Sequence, residues 1–116
     1  MQAIRAPALL SALSDLEFTH ALQLYVFLKQ TTAAEIRKVH ASMREDARAG
    51  IIGILPVSEE VFALSHRLAE RWTTKLGVRT LDILHVAAAL ELGADSFETF
   101  DQRQRTLAEA IGLKVQ

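Results

Sequence analysis

The chain contains no cysteine, which removes disulfide frameworks, thiolate metal sites and cysteine nucleophiles together. It also lacks a surplus of either charge: 13 Lys and Arg stand against 14 Asp and Glu, for a net charge of -1. A global basic footprint for nucleic acid is therefore excluded, and any phosphate contact has to come from a local cluster of Arg and Lys. No apolar run is long enough to span a bilayer, since the longest, at 83–92, is interrupted by His85 and Glu91. The opening residues hold one Arg and only short apolar stretches, unlike a secretion signal. Internal repeats, low-complexity tracts and linkers are missing too. What remains is an ordinary globular balance, half hydrophobic, in a chain of 116 residues. That length suits a single domain over 1–116 with one core, in a soluble cytoplasmic protein with no membrane partner.

Turn and capping signals divide the chain into alternating elements. Residues 8–11 read as a short buried strand. Ser14 and Glu17 have the spacing of a capping box, and the helix they would open places Leu16, His20, Leu24 and Phe27 on one side. Thr32 with Glu35 opens a second helix that stops near Gly50. The compact apolar run 51–57 reads as a buried strand closed by Pro56. Ser58 starts a helix with Glu59 and Glu60 in its first turn, a stripe of Val61, Leu64, Leu68 and Trp72, and a stop at Gly77. Thr80 would cap a further helix running to Gly93. Residues 96–100 read as a strand, Asp101 as the cap of a helix through Ile111, and 113–115 as a last strand. Strands alternating with helices in this way predict an α/β fold with a mostly parallel sheet. In such folds sites gather at the carboxyl ends of strands, which directs attention to Asp101.

Three acids lie where an acid has either a structural or a chemical task. The segment 81–92 is apolar on nearly every side, as a buried helix is, yet Asp82 sits in its first turn. A carboxylate entering a core is costly unless it is hydrogen-bonded, paired or bound to a cation. Asp82 either serves the helix amino terminus or serves a site, and the same alternatives hold for Asp101 as a cap and for Glu17 in its capping box. His85 reads as a core histidine sooner than a ligand, and His20, His40 and His66 lack metal spacing. Arg71, Lys75 and Arg79 recur every four residues, as a solvated helix face does and as a row tracking phosphates would. Trp72 belongs to an apolar stripe and reads as core. Arg103 and Arg105 flank Asp101 and could form the local cluster that phosphate affinity needs.

Taken together, the segments Arg79-Thr80-Leu81-Asp82-Ile83-Leu84-His85-Val86-Ala87-Ala88-Ala89-Leu90, Phe97-Glu98-Thr99-Phe100-Asp101-Gln102-Arg103-Gln104 and Gly112-Leu113-Lys114-Val115 resemble the carboxy-terminal half of PIN domains. They are most similar to the toxin ribonucleases of VapC-like toxin–antitoxin systems. Leu13-Ser14-Asp15-Leu16-Glu17 resembles that family's strand-to-helix segment carrying its second acid. The resemblance implies a three-layer α/β/α fold lacking the usual first strand, with Glu17, Asp82 and Asp101 as the second, third and last acids. It also implies Thr99 as a supporting hydrogen-bonding residue. The family's first acid has no counterpart here, because no Asp or Glu precedes Asp15.

What the resemblance implies chemically is an RNA endonuclease using Mg²⁺ or Mn²⁺. Carboxylates are the hard oxygen ligands those ions prefer, and in-line attack on a phosphodiester needs an activated water and a polarised phosphoryl oxygen. The expected roles are Asp82 and Asp101 as metal ligands, Glu17 as ligand or water-orienting base, and Arg79, Arg103 and Arg105 as RNA contacts. The expected partners are RNA, an antitoxin protein and a second copy of the chain. With one acid missing, weak metal binding and low activity are expected. The other readings are a catalytically dead PIN-like protein-binding module and a truncated gene fragment.

Overall fold

The computed structural model describes residues 8–94, 96–99 and 101–116. Two compact units divide the chain, Met1–Pro56 and Val57–Gln116.

The first unit runs β1 (Ala8–Ser11), α1 (Ala12–Phe27), α2 (Ala33–Arg48) and β2 (Ile52–Leu55). β1 and β2 pair in parallel, from Ala8 opposite Ile52 to Ser11 opposite Leu55. Parallel neighbours require a long crossover, and α1 and α2 supply it. Helix α1 starts earlier than its Ser14–Glu17 spacing predicts. Ser11, in extended backbone at the end of β1, is the N-cap, and its hydroxyl accepts from Ser14 N at 3.1 Å. Ser11 is buried, so its hydroxyl needs a protein partner, and capping provides one with no intervening loop. Thr32 caps α2 as expected, with Glu35 N donating to its Oγ1 at 3.2 Å. No residue of α1 is buried. The face carrying Leu16, Leu24 and Phe27 is exposed, to 78% at Phe27.

The second unit runs α3 (Glu59–Leu76), α4 (Thr80–Glu91), β3 (Ser96–Phe97), α5 (Gln102–Ala110) and β4 (Lys114–Val115). β3 and β4 are again parallel, Ser96 opposite Lys114 and Phe97 opposite Val115, with α5 as the crossover. Among the described residues each unit thus holds one parallel pair. The strand expected at 96–100 is shorter, and its last residue, Phe100, lies outside the described residues. The core joins Val61 and Leu68 of α3, Val78, four residues of α4 (Ile83, Val86, Ala87, Ala88) and Leu107 and Ala108 of α5. Alanines at three of these positions let the helices approach closely. The apolar stripe of α3 packs as expected, with Leu64 and Trp72 against this core, and Gly77 ends the helix in the left-handed region at φ 64°. Mixed helices and parallel strands make the protein α/β, and no described helix is long and apolar enough to cross a membrane.

Candidate active site

Asp82 is 5% exposed, inside a helix whose buried side is otherwise Ile83, His85, Val86, Ala87 and Ala88. Its position follows from how α4 begins. The N-cap is Arg79, not Thr80 as the sequence suggests, because the acid three residues on reaches back: Arg79 N donates to Asp82 Oδ2 at 3.0 Å. This is the carboxylate half of a capping box, and the helix dipole favours a negative charge there. Oδ1 makes no hydrogen bond among the described residues. One charge-assisted bond contributes about 1.5–3 kcal/mol and the dipole up to about 2, against several kcal/mol for withdrawing an ion from water. Oδ1 is not sealed from solvent, so the withdrawal is incomplete and this oxygen stays open to a cation as a ligand.

Asp101 is an exposed N-cap of α5. Its Oδ1 accepts from Arg103 N at 2.9 Å and from Gln104 N at 3.2 Å. Thr99 braces it from the other side: Asp101 N donates to Thr99 Oγ1 at 3.0 Å, and that hydroxyl donates to Gln104 Oε1, also at 3.0 Å. Gln104 therefore holds Asp101 through its backbone and holds Thr99 through its side chain. Sequence reasoning missed Gln104, because an amide inside a helix carries no periodicity or spacing signal. Arg105 is engaged inside the same turn. Its Nη2 donates to Thr99 O at 3.5 Å and to Gln116 O at 3.4 Å, and its Nη1 lies 3.8 Å from Glu109. Arg103 and Arg79 are exposed and make no ion pair among the described residues.

Thr99 and Asp101 are therefore brought together with Gln104 and Arg105, while Asp82 is tied to Arg79. Glu17 lies half-buried on α1 in the first unit. Among the described residues no group of three or more His, Asp or Glu side chains forms that could hold a metal ion. The donor chemistry still suits a hard cation. Asp82 and Asp101 each commit one oxygen to a helix amino terminus and keep the other, and Mg²⁺ is commonly held by one or two carboxylates with several waters retained.

Parallel strand pairs linked by helices, with carboxylates fixed at helix starts in the second unit, define an α/β protein with acids held at helix amino termini. A model of the PIN domain family matches residues 2–110, nearly the whole chain, and the chain belongs to that family. Membership implies a nuclease-type function acting on nucleic acid, in a family that generally depends on divalent metal ions. No curated protein matches the chain.

Proposed function

We propose that this protein is a Mg²⁺- or Mn²⁺-dependent RNA endonuclease of the toxin–antitoxin kind, acting in the cytoplasm. The observation that carries the reading is Asp82, a buried carboxylate with one oxygen bound to Arg79 N and the other uncommitted. In this proposal Asp82 and Asp101 are metal ligands, and Glu17 is assigned the role of ligand or water-orienting base on the resemblance of its motif alone. A divalent ion so bound lowers the pKa of a coordinated water and polarises a phosphoryl oxygen. Thr99 keeps Asp101 in place by accepting from its amide. Arg79 and Arg103 offer exposed cations to the RNA backbone, and Arg105 ties Thr99 O to Gln116 O. The family match runs across both units, which supports treating 1–116 as one PIN-like domain.

The test is cleavage of a mixed RNA pool with Mn²⁺, beside Mn²⁺ titration of the wild type, Asp82→Asn and Asp101→Asn. Binding and cleavage that both fall in the variants support the site. Turnover that survives both substitutions ends the assignment.

A second reading, a PIN-like module that binds protein without cutting RNA, is favoured by one observation. Leu16, Phe18, Leu24, Tyr25, Phe27 and Leu28 are all exposed on or just after α1, and so many exposed large apolar side chains on one helix favour a covering partner. An antitoxin or a second copy of the chain is the proposed partner. Light scattering over a concentration series tests the homodimer, and a mass that stays monomeric throughout rejects it.

A further inference from the structure

We propose that Arg67, Arg71 and Lys75 on α3 form a binding row for the phosphate backbone of single-stranded nucleic acid, with Trp72 holding two of the three cations in place. The Arg71 guanidinium carbon lies 5.2 Å, and Lys75 Nζ 5.4 Å, from the centroid of the same indole ring. That ring is itself fixed, since Trp72 packs against the core of the second unit. Two like charges are therefore gathered at one aromatic group, and among the described residues no salt bridge neutralises them. All three cations are exposed, and none makes an ion pair among the described residues. Lys38, Arg48 and Arg105, by contrast, each have a glutamate. Even Glu70, three residues after Arg67 on the same helix, is not bridged to it.

The spacing favours a polyanion over a scattered acidic partner. Residues four apart on a helix are neighbours along one face, about 6 Å apart along the axis. That is close to the distance between successive phosphates of an extended strand. Four residues beyond Lys75 the chain reaches Arg79, whose amide binds Asp82. Because the indole already engages the cations, the row reads charge and leaves bases unread, so binding is tolerant of sequence. The choice of nucleic acid as the anion rests on the nuclease reading; the row and its unpaired state do not.

The experiment is fluorescence anisotropy of the full chain with a labelled 2′-O-methyl oligouridylate, which cannot be cleaved, in EDTA across a salt series. Removing three phosphate contacts reduces the slope of log affinity against log salt by about 2, at about 0.7 per contact for a single strand. The variant Arg67→Gln/Arg71→Gln/Lys75→Gln is expected to show that change and at least a tenfold loss at low salt. Lys38→Gln/Arg48→Gln, which removes two ion-paired cations, is expected to leave slope and affinity unchanged, and Trp72→Phe, which keeps a ring, to weaken binding less than threefold. Unaltered slope and affinity in the triple variant overturn the proposal, and so does a polyglutamate peptide of equal length binding as tightly as the oligonucleotide. Cleavage plays no part in this measurement. A chain that binds through the row but never cuts RNA would end the nuclease reading and leave this one standing.

Discussion

At Asp82 the acceptor oxygen and the charge can be separated by substitution. Asp82→Ala removes the group that accepts from Arg79 N and is expected to cost about 1 kcal/mol, the usual worth of a capping side chain. Asp82→Asn keeps an acceptor oxygen and is expected to cost less, while metal binding and cleavage fall equally in both. Urea unfolding beside Mn²⁺ titration checks this, and metal affinity that follows stability across the pair would reduce Asp82 to a cap. At Thr99 the hydroxyl both accepts from Asp101 N and donates to Gln104 Oε1. Thr99→Val is expected to lose about 1 kcal/mol, near the net worth of a hydrogen bond, and Thr99→Ser to retain most of it in the same unfolding assay. Sequence made the burial of Asp82 legible, because the segment after it is apolar all round. It also made Asp101 legible as a cap. The brace from Gln104 and the inward engagement of Arg105 were not legible, since both depend on which rotamer a long side chain adopts across a turn.

Helix ends are where elements obeyed the sequence most closely, and where they departed from it. Gly77 at φ 64° and Thr32 at the start of α2 sit where their residue types demand. The starts of α1 and α4 moved to Ser11 and Arg79. In each case a side chain three residues away, or a buried hydroxyl needing a partner, outweighed the nearer Ser or Thr. After α1, Lys29 takes φ 60°, with Lys29 N donating to Val26 O at 3.0 Å and Gln30 N to Tyr25 O at 2.9 Å. This is a helix terminator built on a residue whose Cβ opposes it, a strain of about 1–2 kcal/mol for an L-residue. Lys29→Gly is accordingly expected to stabilise the protein by up to about 1 kcal/mol, and Gly77→Ala to destabilise it by about 1 or more. Thermal unfolding of the two variants checks the signs, and a destabilised Lys29→Gly would mean the lysine side chain makes a compensating contact. The parallel pairing of strands was legible from their alternation with helices. Its division into one pair per unit was not, because strands of two to four residues are too short for any pattern to specify neighbours.

Stability is distributed unevenly along the whole chain, and this bears on what each unit is available to do. Among the described residues, the second unit buries nine hydrophobic residues drawn from three helices and Val78, whereas Ile36 is the buried hydrophobic of the first. Local opening free energy rises with the apolar contacts that must be broken. Native-state hydrogen exchange is therefore expected to find the slowest amides at Val86, Ala87 and Leu107 and the fastest helical amides in α1, where no side chain is buried. Protection in α1 equal to that in α4 would refute this gradient. The same measurement bears on the proposed homodimer. A helix that exposes Leu16, Phe18, Leu24, Tyr25 and Phe27 gains protection only when another surface covers it, because burial is what slows its opening. Raising the protein concentration is expected to slow exchange in α1 while leaving Val86 and Leu107 unchanged. Uniform rates at all concentrations would mean that no second copy covers α1, and would leave a different protein as the proposed partner for that face.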